Sequence, residues 1–366
     1  MNLEELKKSN RIIFECVAGS RLYGTNTPCS DFDIRGFYVN PPLEYLGLTR
    51  TEPEPQINDE KHNIVYYSLK RVFELLEESN PNFCELLYCP EDCIKIKKLL
   101  MDELIANRHL FISKRAYNSH IQYSRSQIIK AKGANKMVNQ PELFKKPVKE
   151  DFCWIIDELE QRSNECQMPY RPVPLKSAGK HFGNINHYHV SALEHVANTY
   201  RLYYYGTDSK GVFRGDDMLV CESIPFDDER KRFAGLLIYN KHEYEKALEQ
   251  HRKYIGWVNN RNPSRYTDQE NKKIDYDKKN MAHCVRLLMA GEHILTYGYP
   301  LVRLEGKQLA YVMSICNAEK TYEEIMKDVD ERMARLETLH KTSTIPEDID
   351  RNKTETLYRY LSGLPV

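Results

Sequence analysis

The sequence has no long hydrophobic run and no excess of either charge. No segment approaches the roughly 18 consecutive apolar residues of a membrane-spanning helix, and the first eight residues lack the apolar core of a signal peptide. Acidic and basic side chains number 53 each, so the net charge gives no overall signal for a nucleic-acid partner. We therefore expect a cytoplasmic protein with no membrane partner, in which any contact with a polyanion depends on a local basic patch.

Paired cysteine spacing and a phosphate-binding P-loop are also missing. The ten cysteines are scattered, and even the closest group, Cys84, Cys89 and Cys93, lacks the Cys-x₂-Cys pairs of zinc sites. We interpret them as reduced thiols, as in a reducing compartment. No Gly-x-x-x-x-Gly-Lys-Ser segment occurs, which excludes the P-loop design for a nucleotide site.

The chain does contain enough apolar and aromatic surface for a folded core. Hydrophobic residues make up 41% of its 366 positions, and tyrosine occurs 25 times. This composition excludes a disordered protein. The length exceeds that of one typical domain and predicts two or three domains, or one enlarged domain.

The most informative stretch covers residues 14–39. Its first half predicts an apolar strand that ends at Gly19 and Ser20. Because Gly19 has no Cβ, a phosphate group can approach the backbone there. We expect Ser20 to be the N-cap of a short helix, whose free N–H groups and positive dipole end favour an anion.

The second half of this stretch predicts a strand that carries Asp31, Asp33 and Arg35 on one face, because side chains alternate along a strand. Two carboxylates at i and i+2 raise each other's pKa unless a cation lies between them. Hard oxygen ligands suit Mg²⁺, which usually takes one or two carboxylates together with substrate phosphates. The pattern therefore predicts a site for Mg²⁺, or Mn²⁺, held by the two aspartates.

The segment Gly19–Gly24 (GSRLYG), followed by Ser30–Gly36 (SDFDIRG), resembles the signature of the DNA polymerase beta superfamily of nucleotidyltransferases. It is similar to a branch related to the polymerase-like proteins that accompany RNA ligases in RNA repair. The resemblance implies an α+β fold, with a mixed sheet and flanking helices in a polymerase-beta-like core. It also implies that Asp31 and Asp33 are catalytic and that Gly19 and Ser20 bind the nucleotide triphosphate. Arg35, on the same strand face as the acids, is expected either to bind nucleotide by stabilising phosphate charge or to fix an aspartate rotamer through a salt bridge.

A third carboxylate, which a neighbouring strand of this superfamily normally supplies, is not obvious here. The β-rich segment at residues 63–68 contains no acid, whereas Asp59 and Glu60 precede it and Glu85 follows it. Either one of these three carboxylates reaches the site, or the site works with two carboxylates and water. The alternative for Glu85 is an acid at a helix N-terminus that faces the dipole.

The resemblance and the apolar spacing together predict three regions. Residues 1–100 form the nucleotidyltransferase core, residues 101–260 form a mostly helical region with a small β insertion, and residues 261–366 form a helical C-terminal region. Apolar spacing predicts two of the helices of the middle region, over residues 152–159 and 191–205.

The predicted C-terminal region contains a cationic stripe on one helix face. Lys279, His283 and Arg286 occur at i, i+4 and i+7, and a cationic stripe on a half-buried helix requires a negative partner. Because this stretch also resembles the family, we expect these three residues to bind nucleotide phosphates. The alternative is an internal ion-pair network with the carboxylates of Asp275, Asp277 or Glu292.

These patterns predict a metal-dependent nucleotidyltransferase. The expected reaction is attack of a hydroxyl group, on RNA, a protein or a small molecule, on the α-phosphate of an NTP, with release of pyrophosphate. The missing third acid leaves two alternatives with the same fold. One is a nucleotide- or RNA-binding protein without catalysis, and the other is a regulatory, antitoxin-like partner of another enzyme.

Overall fold

The structure of the protein, a computed structural model, describes residues 1–28, 30–42, 54–157, 172–177, 184–215 and 218–365. The chain divides into two compact units, one composed of Met1–Asn139 with Ser264–Val366 and the other of Gln140–Pro263. Of the region boundaries expected from the sequence, the one near residue 260 falls close to this division. The one near residue 100 falls inside the first unit.

The first unit is built on a mixed β-sheet. Its strands in the described residues are β1 (Ile12–Ala18), β2 (Asp33–Tyr38), β3 (Gln56–Asn58), β4 (Ile64–Ser68) and β5 (Ile94–Lys97), in the order β3-β4-β2-β1-β5. Strands β2 and β4 are parallel, and the other neighbours are antiparallel. The expected α+β class with a mixed sheet is confirmed.

Helices cover this sheet and join its strands. The N-terminal ones are α1 (Leu3–Lys8), α2 (Ser20–Tyr23), α3 (Leu69–Glu77), α4 (Pro81–Leu86), α5 (Leu99–Ala106) and α6 (Arg115–Asn139). Helix α3 begins where the side chain of Ser68 accepts a hydrogen bond from the Arg71 amide, and its leucines, Val72 and Phe73 are buried. Helix α4 follows at once, with Asn80 as its cap and Pro81 in its first turn.

The second unit contains more β structure than the predicted small insertion. Its main sheet has the order β7-β6-β12-β9-β8. The elements of this unit are β6 (Cys153–Asp157), β7 (Val173–Pro174), β8 (Tyr188–Ala192), β9 (Thr199–Tyr204), β10 (Phe213–Arg214), β11 (Met218–Leu219), α7 (Phe226–Lys231), β12 (Phe233–Tyr239) and α8 (Lys241–Asn260).

The helices predicted over residues 152–159 and 191–205 are wrong. Where the structure describes them, the first stretch contains β6, and the second contains the end of β8, a turn and β9. In β6 the buried Cys153 and Ile155 alternate with half-buried neighbours, which is the period of a strand. A short apolar run of this kind fits a buried helix and a strand equally well by periodicity alone.

The C-terminal part of the first unit is helical in the described residues. Its helices are α9 (Thr267–Glu270), α10 (Lys278–Tyr297), α11 (Gly306–Cys316), α12 (Tyr322–Thr342) and α13 (Arg351–Ser362). Helix α10 packs against α6 and α12, and most of its central residues are buried. It begins at the Asp277 cap and ends at Gly298, whose φ of 80° places it in the left-handed conformation that ends helices.

A buried histidine lies where α6 meets α10. The ring of His120 is fully buried, and its Nδ1 donates to the Ala116 carbonyl at 2.8 Å. Its Nε2 is buried and has no hydrogen-bond partner among the described residues. Burial lowers the pKa of His120 to about 4, and the nearby charge of Arg286 adds to this shift.

This histidine predicts a loss of stability in acid. The unfolded chain binds a proton at His120 near pH 6.5, whereas the folded chain does so only near pH 4, so stability is complete above pH 6.5 and falls as the pH drops towards 4. Between pH 7.5 and 4.5 the stability advantage of the wild type over His120→Asn should shrink by about 2.5 kcal/mol. Denaturant unfolding of both proteins at each pH measures this difference, and a difference independent of pH would contradict the prediction.

Candidate functional site

The turn between β1 and α2 forms one side of the candidate site. Gly19 has φ 66° and ψ −144°, and it is the N-cap of α2. The expectation that Ser20 is the N-cap is wrong by one position, because Ser20 is the first residue of the helix and no side chain caps it. The backbone at Gly19 is in a region that is essentially restricted to glycine, so the sharp exit from β1 depends on this residue.

Gly19 lies directly against the carboxylate of Asp33. Antiparallel pairing places Ala18, the residue before it, opposite Asp33. A Cβ atom added to Gly19 would lie 2.4 Å from Oδ2 of Asp33. The turn and the carboxylate are therefore close enough for one small ligand to contact both.

This contact predicts a large effect of a single methyl group. In Gly19→Ala, the positive φ and the clash with Asp33 should lower stability by about 1–3 kcal/mol and displace the carboxylate. Unfolding by denaturant measures the loss of stability, and the affinity for NTP measures the effect of the displaced carboxylate on the candidate site. The matched control is Gly133→Ala in α6, where an added Cβ meets no atom within 4 Å. That variant should gain about 0.5–1 kcal/mol, and equal stability of the two variants would contradict the prediction.

The two aspartates of the motif occupy different positions. Strand β2 begins at Asp33, so the expectation that Asp31 is also on the strand is wrong, and Asp31 is exposed in the segment before it. Asp33 and Arg35 share a face of β2 as expected, with 3.7 Å between Oδ1 of Asp33 and Nη2 of Arg35. Arg35 also donates to the carbonyls of Ile34 and Asn63, at 2.8 and 3.0 Å. These bonds fix its guanidinium beside the Asp33 carboxylate.

Arg21 belongs to the motif but carried no predicted role. Its guanidinium lies 3.7 Å from the centre of the exposed Phe32 ring, and it donates to the Ser30 carbonyl at 3.2 Å. Arg21 therefore ties α2 to the segment that carries Asp31. Only its position next to Gly-Ser could have indicated this role in the sequence.

None of the candidate third carboxylates is brought into contact with the aspartates. Asp59 accepts a hydrogen bond from the Ile64 amide at 2.9 Å, and Glu60 is exposed in the same turn. Glu85 is fully buried in the last turn of α4, so its interpretation as an N-terminal acid is wrong. In the described part of the chain, no group of three or more His, Cys, Asp or Glu side chains is placed to hold a metal ion.

Glu85 instead belongs to a buried ionic network that reaches α2. It forms a salt bridge with the buried Arg286 and accepts a hydrogen bond from the Tyr23 hydroxyl at 3.0 Å. The guanidinium of Arg286 also lies 3.6 Å from the centre of the Tyr23 ring. Burial and the nearby Glu85 raise the pKa of Tyr23 above its usual range, although Arg286 opposes this shift. Tyr23 therefore stays protonated and holds the end of α2 onto α4 and α10.

The predicted cationic stripe is not one continuous surface. Lys279 is exposed, His283 is half-buried and Arg286 is buried. Arg286 donates to Nδ1 of His283 at 3.1 Å, so His283 accepts through this nitrogen. Burial and the charge of Arg286 lower the pKa of His283 well below its usual value, which keeps its ring neutral.

Arg286 does form an internal ion pair, as the alternative prediction stated, but the carboxylates predicted as its partners were wrong. Asp275 pairs with Lys132, Asp277 with Arg265 and Glu292 with Arg332. The partner of Arg286 is Glu85, a residue far away in the sequence.

Cysteine side chains contribute to the apolar core next to the turn. Cys16 and Cys93 are buried in the same cluster as Leu22, and Cys89 packs against it. A hydrogen bond with Cys89 and burial raise the pKa of Cys16 above its usual range. These cysteines are free, which agrees with their interpretation as thiols.

The N-terminal part of the chain is similar to one known family. Residues 1–141 match the family model RlaP, described as the RNA repair pathway DNA polymerase beta family. The match confirms the resemblance inferred for the N-terminal motif and supports a nucleotidyltransferase-like role in RNA repair, whereas the resemblance around Lys279 lies outside it and stays a prediction. Neither a curated protein nor a solved structure matches the chain. No helix in the described residues is long and apolar enough to cross a membrane.

Proposed function

We propose that this protein is a nucleotidyltransferase that transfers a nucleoside monophosphate from an NTP to a terminal hydroxyl of RNA. The acceptor oxygen forms a new bond to the α-phosphorus, the bond from the α-phosphorus to the bridging oxygen breaks, and pyrophosphate and the hydroxyl proton leave. The observation that carries this proposal is the contact of Gly19 with Asp33, which brings the turn at the start of α2 next to a carboxylate. The RNA repair family of residues 1–141 supports RNA as the acceptor.

The donor set fits a divalent ion with hard-ligand preferences. Asp31 is exposed and the Asp33 side chain is 33% exposed, so both carboxylates can accept a hydrated ion. Mg²⁺ or Mn²⁺ with two carboxylates, water and substrate phosphates needs no third protein acid. A bound ion would supply activation of the acceptor hydroxyl and neutralisation of the leaving pyrophosphate.

The chain's own residues position the nucleotide. The backbone at Gly19 and Ser20 binds the triphosphate at the start of α2. Arg35 holds the Asp33 carboxylate in place through its ion pair and contributes positive charge near the phosphates.

His283 and Arg286 were predicted as phosphate ligands. Because the His283 ring is neutral and the Arg286 charge is balanced by Glu85, these two residues are better suited to positioning than to binding phosphate. Lys279, exposed at the start of α10, stays a predicted phosphate contact.

One observation favours a second candidate function, nucleotide or RNA binding without catalysis. Strand β4, which is parallel to β2, carries no acidic side chain, and no three-residue metal group occurs among the described residues. Such a protein would bind NTP or RNA but would not join them.

The two functions are separated by the fate of labelled phosphate. The protein is incubated with Mg²⁺, an RNA oligonucleotide with free terminal hydroxyls, and each NTP labelled in turn at the α- or the γ-phosphate. We expect label from the α-position on the RNA and label from the γ-position in pyrophosphate. Label from the γ-position on the RNA would contradict nucleotidyl transfer. Binding without any transfer to RNA would favour the second function.

A further inference from the structure

A cavity of about 820 Å³ lies in the first unit, close to α2. Its size is within the range of small-molecule and nucleotide sites. The side chains that determine its chemistry are Tyr88, Arg108, His109, His293, Tyr299 and Arg303. They are aromatic or basic, and no acidic residue lines the described cavity.

The aromatic side of the cavity is an exposed stacking surface. The rings of Tyr88 and Tyr299 stack at 6.2 Å between centroids with an angle of 21°, and His293 packs against Tyr299 at 4.6 Å. Helix α10 ends at Gly298, and Tyr299, the residue after it, is 46% exposed. Tyr88 stacks on Tyr299 and His293 meets it at a steep angle of 73°, so two ring contacts fix Tyr299 while its exposed part stays open to a planar ligand.

The basic side of the cavity contains an arginine whose charge is not balanced by an acid. The guanidinium of Arg108 lies 4.1 Å from the centre of the Tyr88 ring and donates to the Leu87 carbonyl at 3.0 Å. Across the described chain, Arg108 forms no ion pair with a carboxylate. Arg303, by contrast, pairs with Asp92 at 2.6 Å. Arg108 is therefore the cation best placed to accept an anion.

The cavity is connected to the candidate active site through α2. Arg303 donates to the Arg21 carbonyl at 3.5 Å, and the Leu304 amide donates to the Tyr23 carbonyl at 3.1 Å. These bonds attach the cavity wall to backbone carbonyls of the helix that begins at the Gly19 turn. A polymer bound in the cavity would lie next to the proposed nucleotide site.

We propose that this cavity binds one nucleotide unit of single-stranded RNA. A base stacks on the Tyr299 face, and the adjoining phosphate binds the Arg108 guanidinium. Aromatic faces with an arginine and no acid suit a base and its phosphate, because every base has a π-face and the phosphate supplies the negative charge. The inference deepens the proposed function, on which it rests, by naming where the acceptor strand is held.

Binding of a fluorescent single-stranded oligoribonucleotide, measured without NTP and without divalent metal, tests this site. Tyr299→Ala should weaken binding by about tenfold, as expected for the loss of one stacked base. Arg108→Gln should also weaken binding. A plot of the logarithm of the association constant against the logarithm of the salt concentration should become less steep by about one. The matched control is Tyr360→Ala in α13, an exposed tyrosine that does not line the cavity; this variant should bind RNA as the wild type does.

The outcomes distinguish the inference from the proposed function. Wild-type affinity in both cavity variants, with unchanged thermal stability, would overturn the inference even if α-phosphate transfer is observed. Weakened RNA binding in both variants, with no transfer by the wild type, would support the cavity and contradict the transferase. A free nucleoside monophosphate that competes as strongly as the oligonucleotide would overturn the assignment to an RNA strand.

Discussion

Asp33→Asn is expected to lower the rate of α-phosphate transfer by about three orders of magnitude. In the proposed reaction this carboxylate would hold a metal ion that would contribute several kcal/mol of charge stabilisation in the transition state, and each 1.36 kcal/mol corresponds to a factor of about ten in rate. The asparagine keeps the size of the side chain, but it removes the charge beside the Gly19 turn and the ion pair with Arg35. Initial rates with labelled NTP at saturating Mg²⁺ measure the effect.

The control for this substitution is the same chemical change at another exposed aspartate of the first unit. Asp102 pairs with Lys97 at 3.2 Å in α5 and lies outside the proposed site. Asp102→Asn should keep the wild-type rate. Equal rates in the Asp33 and Asp102 variants would show that the carboxylate beside the turn has no catalytic role.

Glu85→Gln is expected to destabilise the protein by about 3–5 kcal/mol, the usual cost of leaving a buried charge without its partner. The Glu85 and Arg286 side chains are 0% and 3% exposed, so water cannot solvate the arginine that remains. The hydrogen bond from Tyr23 is weakened as well, because its acceptor is no longer charged. Denaturant unfolding of the variant and the wild type measures the difference.

A double substitution separates the ion pair's contribution to stability from its positioning of α2. In Glu85→Met with Arg286→Met no buried charge is left alone, and apolar replacement of buried pairs is often neutral or stabilising. We expect the double variant to regain most of the lost stability but to transfer α-phosphate more slowly, because Tyr23 no longer has its two partners. Wild-type transfer by a stable double variant would show that the network is purely structural, and wild-type stability of Glu85→Gln would contradict the burial argument.

The proximity of the N-terminal candidate residues was predictable from sequence because they are close together in the chain. Gly19, Ser20, Asp33 and Arg35 lie on one turn and one strand, and strand alternation placed Asp33 and Arg35 on a common face. The start of the strand was not predictable. Asp31 falls just before it, because alternation indicates a face but not the residue at which pairing with the neighbouring strand begins.

The remaining features depend on contacts between distant parts of the chain. The polar Glu85 in an apolar stretch was a visible signal, but its partner Arg286 is set by the packing of α4 against α10. The second unit was misassigned because apolar runs such as residues 153–157 fit helix and strand alike. The cavity was not predicted because the residues that line it, such as Tyr88 and Tyr299, are far apart in the sequence and come together only in the folded chain.

Affinity cleavage by iron gives the most direct test of whether Asp33 and the Gly19 turn form one metal and nucleotide site. Fe²⁺ substituted for Mg²⁺, with ascorbate and peroxide, cuts the backbone only close to the bound ion, and mass spectrometry of the fragments locates the cuts. We predict cuts at residues 18–20 and 31–34 that increase with NTP and disappear in Asp33→Asn. Cuts confined to other parts of the chain, or cuts that persist unchanged in Asp33→Asn, would contradict the proposed site.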